Sequence, residues 1–366
     1  MKRICCFCER WESGGIESFL HNVLSRMDFS RLEVDLVAAQ MGNSIFTQPL
    51  QKLGVRFIEL SGNQRNLPEN RRRFRALLKE RHYDVLHLNV FHGLSLAYLH
   101  IAKQEGVAVR IAHSHNTALR SSRTRPLKLA IHQCARVRYA RDATDLWACS
   151  REAAGFLFSE AELRKRDAQF IPNGIDLMGF RCDTDARGAL RAKLKLDGQF
   201  VIGNVGRLCY QKNQAFLLEA FAQVIRRRPE SCLLLVGAGE EEARLKEETY
   251  RLGVSERVIF YGNSNHVKHL LWAMDVFAFP SRFEGLPVAL VEAQAAGLPV
   301  VCSEKICKEA RIAPHVCEVP LSDGPVRWAE HLLEMTMGMS ENTDVLRSAG
   351  FDIDDVSRQI EDSYRR

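Results

Sequence analysis

Short runs that are apolar throughout alternate along this chain with longer stretches whose apolar residues recur at helical spacing. The first kind predicts strands buried on both faces, and the second predicts amphipathic helices. In the first half, strands are predicted over 3–7, 34–38, 56–60, 85–88, 109–112, 145–149 and 169–171. Helices are predicted over 16–27, 70–81 and 93–105, with a further one starting at Pro126, while 9–15 reads as a loop. The second half repeats the rhythm, with strands over 201–205, 232–236, 258–261, 276–279 and 300–301 and helices over 215–227, 240–252, 266–274 and 288–296. Such alternation of β and α units implies parallel sheets. The fold class is therefore α/β, two Rossmann-like domains facing each other across a cleft.

Pro172-Asn173-Gly174 punctuates the pattern and sets the domain boundary. The expected division is 1–172, 173–349 and a closing amphipathic helix over 350–366, with Ile353, Val356, Ile360 and Tyr364 on one face. A length of 366 residues fits two domains better than one core. With 46% apolar and 26% charged residues the chain reads as globular, and its net charge of +6 does not by itself argue for nucleic acid. No stretch has the length of a spanning helix, and the apolar run near the start is too short for a signal peptide, so a cytoplasmic or peripheral location is expected. The 11 cysteines are read as reduced core residues, because only Cys5, Cys6 and Cys8 cluster and no second close pair completes a metal site.

One charge feature stands out. No acidic residue occurs from 106 to 141, whereas Arg110, Arg120, Arg123, Arg125, Lys128, Arg136, Arg138 and Arg141 do. Leu127, Leu129, Ala130, Ile131 and Val137 are interleaved with the bases. The segment 119–141 is either a solvated face or a basic amphipathic helix resting on anionic lipid.

The chemistry concentrates at predicted strand ends, where ligands gather in parallel sheets. The stretch FPSRFEGLPVALVEAQAAGLPVV at 279–301 runs strand, glycine turn, helix and strand, and Glu284 and Glu292 stand on either side of the helix start. Free amides at that start, including those of Gly285 and Leu286, suit an anion, and the flanking acids suit hydroxyls. A ligand carrying both is a sugar nucleotide. Gly206-Arg207 ends another strand and Lys212 precedes the next helix, so the two cations can converge on a diphosphate. Gly237 and Gly239 form a glycine turn after a third strand. Gly14-Gly15 follows the first strand without the full dinucleotide fingerprint. His113 and His115 close the strand predicted over 109–112.

The set GRLCYQKN at 206–213, LLVGAGEE at 234–241, IPNGID at 171–176 and the 279–301 stretch resembles family 4 glycosyltransferases of the GT-B fold. RIAHSHNT at 110–117, ATDLWACS at 143–150 and GFDI at 350–353 resemble the subgroup that builds bacterial exopolysaccharide and capsule. The resemblance implies a retaining, metal-independent transferase with no cofactor, its substrate a nucleotide diphosphate sugar, expected to be a UDP-sugar. It implies that Arg207 and Lys212 hold the diphosphate and that Glu284 meets the sugar hydroxyls above Gly285 and Leu286. Glu292 would bind the ribose, and Gly14 and Gly15 would face the diphosphate. His115 would point at the sugar, with His113 the competing choice. The closing helix would return to the N-terminal domain. The implied acceptor is a lipid-linked glycan, reached from the inner face of the plasma membrane. A non-catalytic nucleotide-sugar-binding subunit, or a phosphorylase, hydrolase or epimerase of the same fold, is the alternative, and the oligomeric state stays open.

Overall fold

Seven parallel strands make the first sheet: β1 (Lys2–Trp11), β2 (Leu32–Met41), β3 (Arg56–Glu59), β4 (Val85–Val90), β5 (Val109–Ser114), β6 (Asp145–Ala148) and β7 (Gln169–Phe170), in the order β3-β2-β1-β4-β5-β6-β7. Six more make the second: β8 (Phe200–Val205), β9 (Ser231–Val236), β10 (Val258–Gly262), β11 (Val276–Phe279), β12 (Val300–Ser303) and β13 (Val316–Val319), ordered β10-β9-β8-β11-β12-β13. In each sheet the first strand lies inside, so the strand order reverses beside it. Loops at the carboxyl ends of strands flanking such a reversal are the natural ligand positions of this architecture.

The computed structural model describes residues 1–12, 14–90, 92–117, 125–335 and 338–366. Arg120 and Arg123 of the basic run lie outside them. The chain forms two units, Met1–Gly174 with Gly350–Arg366, and Ile175–Ala349. Each has its own apolar core.

The helix Ile353–Arg365 belongs to the first core. Ile353, Val356, Ile360 and Tyr364 are buried there with Phe19, Leu20 and Val23, and the Ser357 hydroxyl donates to the Val23 carbonyl at 3.2 Å. Burying one such apolar side chain stabilises by about 1.5–3 kcal/mol. Asp352 caps the helix by accepting the Asp354 amide.

Several elements differ from expectation. The loop predicted over 9–15 starts later, because β1 continues to Trp11, whose buried indole donates to Thr47 Oγ1 at 2.9 Å and packs edge-on against Phe57. The region after 301 holds the strand β13 and the helices Gly324–Glu334 and Thr343–Ser348. In Gly324–Glu334 the proline at 325 sits in the first helical turn, where it has no amide to lose. Among the described residues no helix is long and apolar enough to cross a membrane. All 11 cysteines are free, and Cys134 is exposed rather than packed in a core.

Candidate functional site

In the second unit three strand-end loops are laced together. After β8, the amide of Gly206 donates to the Val236 carbonyl at 2.9 Å and that of Leu208 to Ala238 at 3.1 Å, while Glu241 donates back to Leu208. Gly237 permits this approach: its φ is +130°, and a Cβ there would stand 2.2 Å from the Gly206 carbonyl oxygen. The loop after β8 is tied to the loop after β11 by Asn213, whose Nδ2 donates to Pro280 at 3.1 Å and whose Oδ1 accepts from Arg282 at 2.7 Å. Asn213 holds φ +58°, a left-handed conformation that asparagine tolerates better than most residues.

This lacing fixes a buried ion pair. Lys212 Nζ lies 2.8 Å from Glu284 Oε1 and 4.6 Å from the centre of the Phe279 ring. Gln211 Nε2 donates to Glu284 Oε2 at 3.1 Å and to the Phe283 carbonyl at 2.9 Å. Glu284 is only 7% exposed. Gly285 and Leu286 are buried behind it, at the mouth of the helix Val288–Ala295. Arg207 stands differently: its side chain is 62% exposed and pairs with Glu240 at 3.0 Å. The two predicted cations are thus held by different carboxylates, one sheltered and one in solvent. Glu292, on the same helix, is half-buried, and desolvation pushes its carboxyl up to about 7.

The first unit has a neutral cluster at its strand ends. The Tyr364 hydroxyl lies 2.6 Å from His87 Nδ1, and His87 Nε2 lies 3.0 Å from His113 Nδ1. The His113 and His115 rings lie tilted against each other with centres 4.0 Å apart, and Phe19 stands 5.1 Å from both. His115 Nε2 is 2.9 Å from Asn89 Oδ1. Burial suppresses charge throughout: His87 and His115 are pushed down to about 3, and His113 is driven well below the usual range, helped by its two histidine neighbours. His113 is fully buried with its Nδ1 engaged, whereas His115 is only half-buried.

At Gly14 and Gly15 the chain enters its first helix beside one of its own carboxylates. Glu17, at the third position of the helix Gly15–Leu24, folds back so that its Oε1 accepts the Glu12 amide at 2.9 Å. A Cβ on Gly14 would lie 2.7 Å from its Oε2. The amides of Gly14 and Glu17 also bond this carboxyl, whose pKa burial raises against their pull. The Glu17 carboxylate thus caps the helix start beside Gly14 and Gly15, as a capping-box glutamate does.

Sequence reasoning did not single out Glu17, His87, Asn89, Gln211 or Tyr364 as site residues. A signal existed for some. Glu17 stands three residues after Gly14, the capping-box spacing, and H-x-N at 87–89 and H-x-H at 113–115 end neighbouring strands. Asn89 pairs in register with His113, which brings the two motifs side by side.

The helix Arg125–Tyr139 docks by polar contacts. His132 Nδ1 accepts the Gly93 amide at 2.8 Å, its Nε2 reaches the Phe156 carbonyl, and Arg136 donates to the carbonyls of Gly155 and Phe156. Its apolar residues Leu127, Leu129, Ile131 and Val137 are exposed. Arg136 is therefore a structural base, while Lys128, Arg138 and Arg141 face solvent.

Residues 187–315 match the family described as Glycosyl transferases group 1, and residues 13–178 match Glycosyltransferase Family 4. The Putative glycosyltransferase EpsF of Bacillus subtilis (strain 168) is 31% identical over 333 residues, 90% of this chain and 86% of that protein. The UDP-Gal:alpha-D-GlcNAc-diphosphoundecaprenol alpha-1,3-galactosyltransferase of Escherichia coli is 31% identical over 232 residues, 62% of this chain and 59% of that one. Among solved structures, Anabaena Alr3699/HepE in complex with UDP-glucose matches with a TM-score of 0.80 and 21% identity over 100% of both chains.

Proposed function

The chain belongs to glycosyltransferase family 4, and from that premise we propose that it moves a hexose-type unit from a UDP-sugar to a lipid-linked glycan, with retention, in bacterial surface-polysaccharide synthesis. The observation that carries this reading is the sheltered Lys212–Glu284 pair at laced strand-end loops. A diphosphate entering there takes Lys212 as its counter-charge and leaves Glu284 to accept from sugar hydroxyls. Arg207 adds a second cation on the solvent side, and Glu292 accepts from the ribose. The bond from the anomeric carbon to the phosphate oxygen breaks as the acceptor oxygen bonds to that carbon, and the acceptor's proton leaves with the diphosphate. Fixed positive charge at the departing phosphates lowers that barrier most. In this reading the cations do the work a metal ion does elsewhere, and His115 is the residue of the first unit that meets the sugar.

The donor and acceptor named for the Escherichia coli relative support the choice of a UDP-sugar and a lipid-linked acceptor. An anionic membrane surface at the inner face of the plasma membrane is the proposed working location, supported by the exposed leucines and bases of the helix Arg125–Tyr139.

Two measurements test the reading. Radiolabelled nucleotide sugars with membrane lipid extract should yield acceptor-dependent product, abolished in Lys212→Ala and Glu284→Ala; variants as active as wild type would overturn the site. Hydrolysis, phosphorolysis or epimerisation would instead give product without added acceptor. Flotation with anionic vesicles should weaken with salt and fail for the triple change of Lys128, Arg138 and Arg141 to glutamate, which spares the docking base Arg136. Undiminished flotation ends the membrane part.

A further inference from the structure

The hydrogen bonds around Asn89 determine which nitrogen of His115 carries its proton. Asn89 is fully buried at the carboxyl end of β4. Its Nδ2 faces two backbone carbonyls, Phe7 at 3.5 Å and His87 at 3.3 Å. Turning the amide over would set its oxygen against both carbonyl oxygens, so Oδ1 must face His115. A carboxamide oxygen only accepts, and therefore the Nε2 atom 2.9 Å away must bear the hydrogen. In a neutral imidazole Nδ1 is then a bare lone pair.

The surroundings hold the ring neutral. His115 lies against His113 and Phe19, and among the described residues no carboxylate is bonded to either of its nitrogens. A second proton would place a cation in a half-buried site against a buried histidine, an unfavourable position for charge. Burial accordingly drives the His115 pKa far below neutrality.

We propose that Asn89 is a positioning residue that locks His115 as the Nε2–H tautomer, so that His115 meets its ligand through Nδ1 as a hydrogen-bond acceptor. The chemical class this selects is a sugar that turns a free hydroxyl to His115. A carboxylate, an ether or a phosphate oxygen has no hydrogen to give, and two lone pairs would then meet. His115 is thus neither an acid nor a counter-charge for the diphosphate. It reads the sugar by its hydroxyl hydrogen. This rests on the transferase reading for the identity of the ligand, but the tautomer does not depend on it.

The full-length protein labelled with 15N supplies the test. Two-bond proton–nitrogen spectra at pH 7, with the His115 signals identified by their loss in His115→Gln, should show a protonated Nε2 and an unprotonated Nδ1. An Nδ1–H tautomer or an imidazolium in the wild type overturns the proposal, whether or not a donor sugar has been found. Asn89→Leu should release the tautomer and lower kcat about 10-fold, the worth of one hydrogen bond, with UDP binding unchanged. Unaltered His115 shifts in that variant overturn the role of Asn89. Should Asn89→Leu fail to fold, Asn89→Asp keeps the shape. The carboxyl should shift the His115 ring-nitrogen signals from their wild-type values, and shifts identical to wild type overturn the role of Asn89.

Discussion

Each of the two side-chain clusters lies on or after inner strands of its parallel sheet, the charged one after β8 and β11 and the neutral one along β4 and β5, yet one is built of paired charges and the other of neutral rings. In the second unit Lys212 and Glu284 stand 2.8 Å apart and Arg207 reaches Glu240. In the first, three histidines, a tyrosine and an asparagine form hydrogen bonds and ring contacts, and burial prevents the histidines from charging. The difference teaches that the fold supplies a position and the side chains supply the electrostatics. A site that must hold a diphosphate needs fixed cations, whereas a site that reads hydroxyls needs fixed donors and acceptors.

The largest expected effect comes from breaking the charged cluster. Lys212→Ala should lower kcat/KM about 10²–10³-fold, the usual cost of one preorganised charge-stabilising group. Steady-state kinetics with a UDP-sugar checks it, and a loss within a few-fold would mean that the phosphates bind elsewhere. Arg207→Ala, removing an exposed and screened cation, should cost far less, about 10-fold. Equal losses for the two variants would erase the distinction drawn between sheltered and solvent-side cations.

Glu292 sharpens the comparison through pH. Ribose hydroxyls donate to a carboxylate, so the ionised form binds the donor better. With the carboxyl held up to about 7, protonation sets in as pH falls through neutrality. Donor affinity should therefore fall below pH 7, by at most about 10-fold per pH unit, and level off above it. Calorimetry at pH 6 and pH 8 measures this, and Glu292→Gln should flatten the profile. A wild-type profile already flat would show that the acid does not contact the ligand. In the neutral cluster a change at Tyr364 should leave donor binding unchanged and act on stability alone. Tyr364→Phe removes the hydroxyl beside His87 and should cost about 1–3 kcal/mol of unfolding free energy, read by urea titration, with UDP affinity unmoved.

Much of this was legible in the residues themselves. The strand cores and the terminal helix announce themselves because their apolar spacing matches their burial, as Ile353, Val356, Ile360 and Tyr364 show. The charged cluster was legible because Lys212 and Glu284 sit in short motifs beside glycine and proline. Of the neutral cluster only His113 and His115 were legible as site residues, since His87, Asn89 and Tyr364 come from β4 and the last helix. The register of Asn89 with His113 is what brings the members on β4 and β5 together. Arg125–Tyr139 reads as a helix carrying bases and interleaved apolar residues, and Leu127, Lys128, Leu129, Ile131, Val137 and Arg138 are exposed. What its period does not show is how it docks, through His132, Arg136 and the buried Ala135. Amphipathic spacing shows that a helix has two faces and does not say which one the protein covers.

The wall of the first core contributed by residues 353–364 has a consequence for biosynthesis. A ribosome makes the whole of 175–349 before it reaches that helix, so the N-terminal sheet emerges with Phe19, Leu20 and Val23 lacking a cover. Native closure of the earlier-made unit waits on the later-made one. In the interval the nascent chain carries an open apolar groove of the kind that chaperones bind.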